Sequence, residues 1–262
     1  MPELPKKSLG QHWLTDEQAL KAIAESAEIS PSDTILEIGP GRGNLTRHLA
    51  RQAAQVVAVE LDAPLATALP KRVSAENLQV VQADILQFDL SNLPAGYKVV
   101  ANIPYYLTGK LLRALSQAAN PPSLMVLLVQ KEVAERICAT AGQMSLLAVG
   151  VQLFYDCQLG VKVTADKFNP APKVDSQAVI ARRRARPLFN GLNNKLFFQL
   201  VRAGFSEKRK KLRSALAGGL AISKQQADDL LAKAQIDGGR RAQELSLEEW
   251  HRIYQQYQIK NQ

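Results

Sequence analysis

Four consecutive residues, Asn102-Ile103-Pro104-Tyr105, set a side-chain amide, a rigid corner and an aromatic ring directly after the apolar run "YKVVAN". A proline fixes one backbone angle and removes a donor, so a turn alone would explain Pro104. The amide and the ring ask for more. An exocyclic amine on a nucleobase is a poor nucleophile, because its lone pair is delocalised into the ring. Neutral acceptors can pyramidalise it: the side-chain oxygen of Asn102 and the backbone carbonyl of Ile103 or Pro104 can hold the amine hydrogens while the lone pair turns toward an electrophile. Proline stiffens such acceptors where positive charge develops, the cationic counterpart of an oxyanion hole. Tyr105 can stack on the base, a contact worth about 1–3 kcal/mol in single-stranded sites. No strong general base is needed, since the alkylated nitrogen is an acidic ammonium that loses its proton to water or a carbonyl.

Three further loops carry chemistry of a matching kind. "EIGPGRGN" places Gly39, Gly41 and Gly43 after one apolar run, where glycines let a ligand approach the backbone closely. Glu60 closes "QVVAVE", 21 residues after Gly39, where a carboxylate can accept both hydroxyls of a ribose. Asp84 closes "NLQVVQAD". Each has an ordinary reading, because glycine turns are common and terminal Asp, Glu and Asn often cap the next helix. Four such loops at successive strand ends are hard to produce by turn chemistry alone. A nicotinamide fingerprint wants a third glycine at position 44, where this chain has Asn44. S-adenosylmethionine fits better: it offers a ribose to Glu60 and an adenine amine to Asp84, with its methionine end over the glycine loop.

The elements that must hold these loops alternate. Residues 16–28 have helical periodicity, "TILEIG" reads as a buried strand, residues 44–52 as helix, "QVVAVE" as strand and residues 62–69 as helix. "NLQVVQAD" and "YKVVAN" follow as strands, residues 108–119 as helix, "SLMVLLVQ" as strand and residues 131–140 as helix. Strands separated by helices imply right-handed crossovers and a parallel sheet covered on both faces. "VQLFYDCQLGVKV" and "VDSQAVIARRR" read as two longer strands with no helix between them, an antiparallel pair at one edge. Beyond Pro187 the pattern turns helical, over 193–205, 208–216, 224–234 and 247–257, the last with Ser246 as its cap. The expected fold is therefore α/β: a doubly wound, Rossmann-like sheet, mostly parallel with an antiparallel edge, over residues 1–184, and a small all-α C-terminal domain over 185–262.

Composition bounds the partners. The chain has 262 residues, 46% of them apolar, and no apolar stretch approaches the roughly 18–20 residues that cross a bilayer. Its start lacks the apolar core of a signal peptide, and its two cysteines, Cys138 and Cys157, make neither a disulfide framework nor a metal cluster. A cytoplasmic protein with no metal and no membrane partner is expected. From Arg182 to Gln262 there are 17 Lys and Arg against 7 Asp and Glu, a net of plus ten; the preceding residues carry 16 against 17, a net of minus one. The excess clusters in "RRRAR" at 182–186 and "EKRKKLR" at 207–213, which points to a polyanion, and to nucleic acid in particular.

The motifs together resemble a known family. "KKSLGQHWL", "EIGPGRGNLT", "VVAVELD", "QAD", "NIPYY", "QKEVAERI" and "FNPAPKVDS" are similar, in order, to segments of the ribosomal RNA adenine dimethyltransferases, and most of all to their bacterial small-subunit branch. The resemblance runs from Lys6 to about Ser176. It implies dimethylation of two adjacent adenosines in a hairpin near the 3′ end of small-subunit ribosomal RNA, late in assembly of the subunit. It implies cofactor contacts at His12, Leu14, Gly39, Gly41, Glu60, Asp84 and Asn102, and an acceptor-base pocket at Asn102, Ile103, Pro104 and Tyr105, with Phe168 as the opposite face of an aromatic sandwich. Many members have Asn in place of His12 and Phe in place of Trp13, and some have Asn in place of Tyr106. The basic helical tail suits a module that guides RNA, and nothing in the sequence calls for an obligate dimer, so a monomer is expected. Two other readings share the fold: a large-subunit RNA methyltransferase of the antibiotic-resistance type, and a ribosome assembly or transcription factor without catalysis.

Overall fold

Apolar runs flanked by amphipathic helices bury both faces of a sheet, and the chain uses them in that way. The computed structural model describes residues 5–6 and 9–260, so Lys7 and Ser8 of the first motif lie outside the described residues. Two compact units form, one from the residues up to Glu135 together with Tyr155–Arg183, the other from Arg136–Phe154 together with the residues from Arg184 on.

The first unit begins with β1 (Trp13–Leu14), α1 (Glu17–Glu25), β2 (Thr34–Ile38), α2 (Asn44–Ala50), β3 (Gln55–Glu60), α3 (Ala63–Val73) and β4 (Leu78–Gln82). It continues through β5 (Lys98–Asn102), α4 (Thr108–Ser116) and β6 (Leu124–Gln130) to α5 (Lys131–Ile137), a helix that crosses into the second unit, where α6 (Leu146–Gln152) follows. It is completed by β7 (Tyr155–Val163), β8 (Phe168–Asn169) and β9 (Ser176–Arg183). Seven strands make the sheet, in the order β4-β3-β2-β5-β6-β9-β7. The first five are parallel, and β9 runs antiparallel to both β6 and β7. The chain leaves β2 toward β3 and β4, then returns to β5 on the other side. The crevice between the carboxyl ends of β2 and β5 is thus the topological switch point, where ligands of such sheets bind.

The second unit is helical, with α7 (Asn194–Gly204), α8 (Leu212–Gly219), α9 (Lys224–Lys233) and α10 (Leu247–Lys260). Ser246 does cap α10: its Oγ accepts from Glu249 N–H at 3.2 Å, and its own N–H donates to Glu249 Oε2 at 2.9 Å.

Three expectations change. The expected strand "VQLFYDCQLGVKV" is split, because Val151 and Gln152 end α6, which Ser145 caps, and the strand begins only at Tyr155. A continuous apolar run does not by itself distinguish a strand from a buried helix. The expected boundary at 184/185 also misses that residues 136–154 belong with the helices: Met144, Val149 and Leu153 pack in one core with Phe197, Leu216 and Trp250. The helix expected from 208 starts at Leu212, since Lys208–Lys211 form an exposed turn of four consecutive basic residues.

Candidate active site

The glycine loop, Glu60, Asp84 and the Asn102 corner all reach one cleft of about 290 Å³ at the switch point. Gly39 and Gly41 have φ of +65° and +58°, left-handed angles that suit glycine. A Cβ on Gly39 would meet nothing within 4 Å, so that backbone is open to a ligand, whereas one on Gly41 would lie 2.9 Å from the Trp13 indole. Trp13 therefore rests on the loop, and the Arg42 guanidinium sits 4.0 Å from its ring centroid.

Glu60 is 5% exposed. Its Oε2 accepts from Gly41 N–H at 3.0 Å and its Oε1 from Asp62 N–H at 2.9 Å. Each oxygen keeps a second lone pair, the arrangement a vicinal diol requires. Burial pushes its carboxyl above the usual range, with the Asp62 charge adding to the rise, while the backbone N–H groups of Asp62, Gly41 and Leu61 pull it back. Asp84 lines the same cleft, and one of its oxygens, Oδ1, accepts from Leu86 N–H at 2.9 Å. Its ordinary role as a turn cap thus uses one oxygen only.

Asn102 closes β5. Its Nδ2 donates to the His12 carbonyl at 2.9 Å, which settles the amide's orientation, because a carbonyl can only accept. Oδ1 accepts no hydrogen bond among the described residues, and Asn102 lines the cleft. The next residue is held by the sheet: Ile103 N–H donates to the Leu128 carbonyl at 3.0 Å. The carbonyl of Pro104 accepts from Leu107 N–H at 2.9 Å, so of the two carbonyls considered from the sequence, that of Ile103 is the open acceptor among the described residues. Tyr105 is anchored at its far end, with its hydroxyl 3.0 Å from Ser176 Oγ, and burial raises its phenol above the ordinary value.

His12 also stands in the cleft. Its Nδ1 donates to the Pro170 carbonyl at 2.7 Å, and its ring stacks on Tyr105 with centroids 6.0 Å apart and planes 18° from parallel. Leu14 and Phe168 are not brought into this cleft. They face each other across the β1–β8 pair and are 3% and 5% exposed, packed in the core with Leu20 and Val163. Apolar side chains paired on a short ladder beside a core bury themselves there, so the expected aromatic sandwich is not assembled in this conformation.

Sequence reasoning missed the residues that tie the segment before β1 across the cleft. Asp62, whose side chain is 3% exposed, accepts from Lys6 Nζ at 2.8 Å and from Gln11 Nε2 at 3.1 Å. Asn44 Nδ2 donates to the Leu14 carbonyl at 2.8 Å. Glu37, one residue before the end of β2, is 2% exposed, and its Oε2 has no partner. Lys6, Gln11, Glu37, Asn44 and Asp62 all fall inside the motifs quoted above, but no local spacing records which of them pair.

The basic runs divide. Arg182 makes a bidentate pair with Glu28 at 2.6 and 3.0 Å, Arg183 lies over the Tyr155 ring, and Arg184 donates to the Gln152 carbonyl. Three arginines of "RRRAR" thus have partners within the fold, Arg182 while 40% exposed, and the turn at 208–211 is exposed throughout, with Lys210 paired to Glu207 at 2.6 Å. Cys138 and Cys157 are free thiols, and burial pushes Cys138 up to about 11. Among the described residues no group of His, Cys, Asp and Glu could hold a metal, and no helix is long and apolar enough to cross a membrane.

The chain is similar to known proteins over nearly its whole length. The family model described as "Ribosomal RNA adenine dimethylase" matches residues 3–259. A protein of Dehalococcoides mccartyi named "Ribosomal RNA small subunit methyltransferase A" is 43% identical over 94% of this chain and 86% of its own length. One of the same name from Nostoc sp. is 40% identical over 95% of this chain and 96% of its own length. Among solved structures, a dimethyladenosine transferase from Plasmodium falciparum has a TM-score of 0.83 at 27% identity, covering 95% of this chain and 98% of that one. The 23S rRNA methyltransferase ErmE has a TM-score of 0.76 at 30% identity, covering 93% and 98%. With the matched sequence spanning both units and the cleft, the chain belongs to the ribosomal RNA adenine dimethylase family.

Proposed function

We propose that this chain is a cytoplasmic enzyme that transfers methyl groups from S-adenosylmethionine to N6 of two adjacent adenosines. These lie in the 3′-terminal hairpin of small-subunit ribosomal RNA, and the product is N6,N6-dimethyladenosine made during subunit assembly. The orientation of Asn102 carries the reading: the His12 carbonyl takes its N–H, so Oδ1 and the neighbouring Ile103 carbonyl form a pair of neutral acceptors beside Glu60 and Asp84. Relatives named for the small subunit, at 43% and 40% identity, favour that subunit over the large one.

The residues present fit the cofactor. Glu60 has two lone pairs for ribose hydroxyls, Asp84 one free oxygen for an adenine amine, and Gly39 an open backbone for the methionine end. When bound, S-adenosylmethionine supplies a methyl group on a sulfonium. In the first transfer, Asn102 Oδ1 and the Ile103 carbonyl accept the two amine hydrogens of the adenosine and turn its lone pair toward that methyl; in the second, one of them accepts the single hydrogen that remains. Tyr105 stacks on the base, held in place by Ser176. The nitrogen gains a carbon and sheds a proton to water, so the site needs no histidine base. The helical unit guides the RNA, and its turn at 208–211 grips phosphates without reading sequence.

Labelled S-adenosylmethionine and under-methylated small subunits test the reading, with the labelled nucleosides mapped. Dimethyladenosine in the 3′ hairpin supports it, and label only in large-subunit RNA would move the chain to the antibiotic-resistance type. Asn102→Ala should lower turnover about a hundredfold or more, the loss expected when a preorganised transition-state contact is removed. Undiminished turnover in that variant defeats the mechanism.

A further inference from the structure

Tyr106 is an aromatic ring the mechanism leaves unused. It is 60% exposed, and among the described large hydrophobic residues only Ile259, at 70%, is more so. It lines the cleft that holds Asn102. The ring is nonetheless placed: a Cβ on Gly10 would lie 3.5 Å from Tyr106 Cδ1 and 3.7 Å from Cε1, so the ring edge rests on the backbone of the segment that crosses the cleft. Its neighbour Tyr105 points elsewhere, toward Ser176 and the His12 ring. Two successive tyrosines thus serve one cleft in different directions, one inward to the acceptor corner and one outward at its mouth. Lys110, four residues on in the first turn of α4, is exposed and lines the cleft too.

A large ring held in water at the mouth of a base-accepting cleft, with a cation one turn away, has the chemistry of a single-stranded nucleic-acid platform. We propose, resting on the function stated above, that Tyr106 is the stacking surface for the nucleotide next to the adenosine being methylated, and that Lys110 neutralises a phosphate of that same dinucleotide step. A π-face reads no hydrogen-bond pattern, so the site selects by stacking strength and favours a purine neighbour. Strand direction puts the neighbour on opposite sides of the two adenosines, so the ring serves the pair in one of its two placements: while that base is held at Asn102 the other lies on Tyr106.

The test uses small subunits reconstituted on transcripts in which one adenosine of the pair is replaced by guanosine or by uridine, so that each carries a single acceptor. At the one of the two positions whose neighbour reaches Tyr106, the wild-type protein should methylate the remaining adenosine more efficiently beside guanosine than beside uridine. Tyr106→Ala should lower kcat/KM beside guanosine by roughly five- to hundredfold and abolish the preference. Tyr106→Trp should keep the preference, and Lys110→Ala should weaken binding beside either neighbour and reduce its salt dependence. A Tyr106→Ala variant that retains the wild-type preference overturns the proposal. So does one whose loss comes entirely from weaker S-adenosylmethionine binding by calorimetry, which would make the ring a cofactor wall. If the wild type methylates none of the subunits, the proposed function fails; if it methylates both equally, only the platform does.

Discussion

Glu37 should make the sheet less stable as pH rises. It is buried at 2% exposure with no partner for its Oε2, and burial lifts its carboxyl from 4.5 to about 8, with the Glu60 charge adding to the rise and the Thr46 hydroxyl offsetting part of it. An acid whose pKa is higher in the folded state holds its proton there while the unfolded chain releases it. Folding is therefore unpenalised below about pH 4.5 and loses roughly 1.4 kcal/mol per pH unit until the folded carboxyl itself ionises near 8. The accumulated loss is about 3 kcal/mol at pH 7 and approaches 5 kcal/mol above pH 8, as an order of magnitude. Glu37→Gln removes the titration and keeps the shape. Urea denaturation of both proteins between pH 5 and pH 8.5 should give a stability difference that grows in favour of the variant as pH rises. Hydrogen exchange of the β2 amides should assign that difference to the sheet. A constant offset would report only how glutamine packs. Parallel curves across that range, or a wild type that gains on the variant as pH rises, would refute the reasoning.

Two further outcomes test how the cleft is held. Ser176→Ala frees the Tyr105 hydroxyl, so kcat/KM for RNA should fall about fivefold, the value of one net hydrogen bond, with cofactor affinity unchanged. Tyr105→Phe should cost about the same and the double variant no more; additive losses in steady-state assays would disprove the coupling. Lys6→Ala removes one of the two side chains that tie the cleft-crossing segment to Asp62, and calorimetry should show S-adenosylmethionine binding weakened roughly three- to tenfold, with Lys6→Arg close to wild type. An unchanged Kd in Lys6→Ala would mean the segment is held without that ion pair.

The alternation of strands and helices, the glycine loop, and the strand-end placement of Glu60, Asp84 and Asn102 were legible in the local pattern of the chain, because periodicity and turn chemistry act over a few residues. Tertiary structure alone decided which atoms those residues present. The orientation of Asn102 depends on a carbonyl 90 positions away, the place of His12 on one 158 away, and the Lys6–Asp62 tie spans 56. It decided as well that Leu14 and Phe168 go to the core, that Arg182, Arg183 and Arg184 are spent on internal partners, and that residues 136–154 join the helical unit. Such pairings are set by which surfaces meet once the sheet has closed, and no local pattern records them.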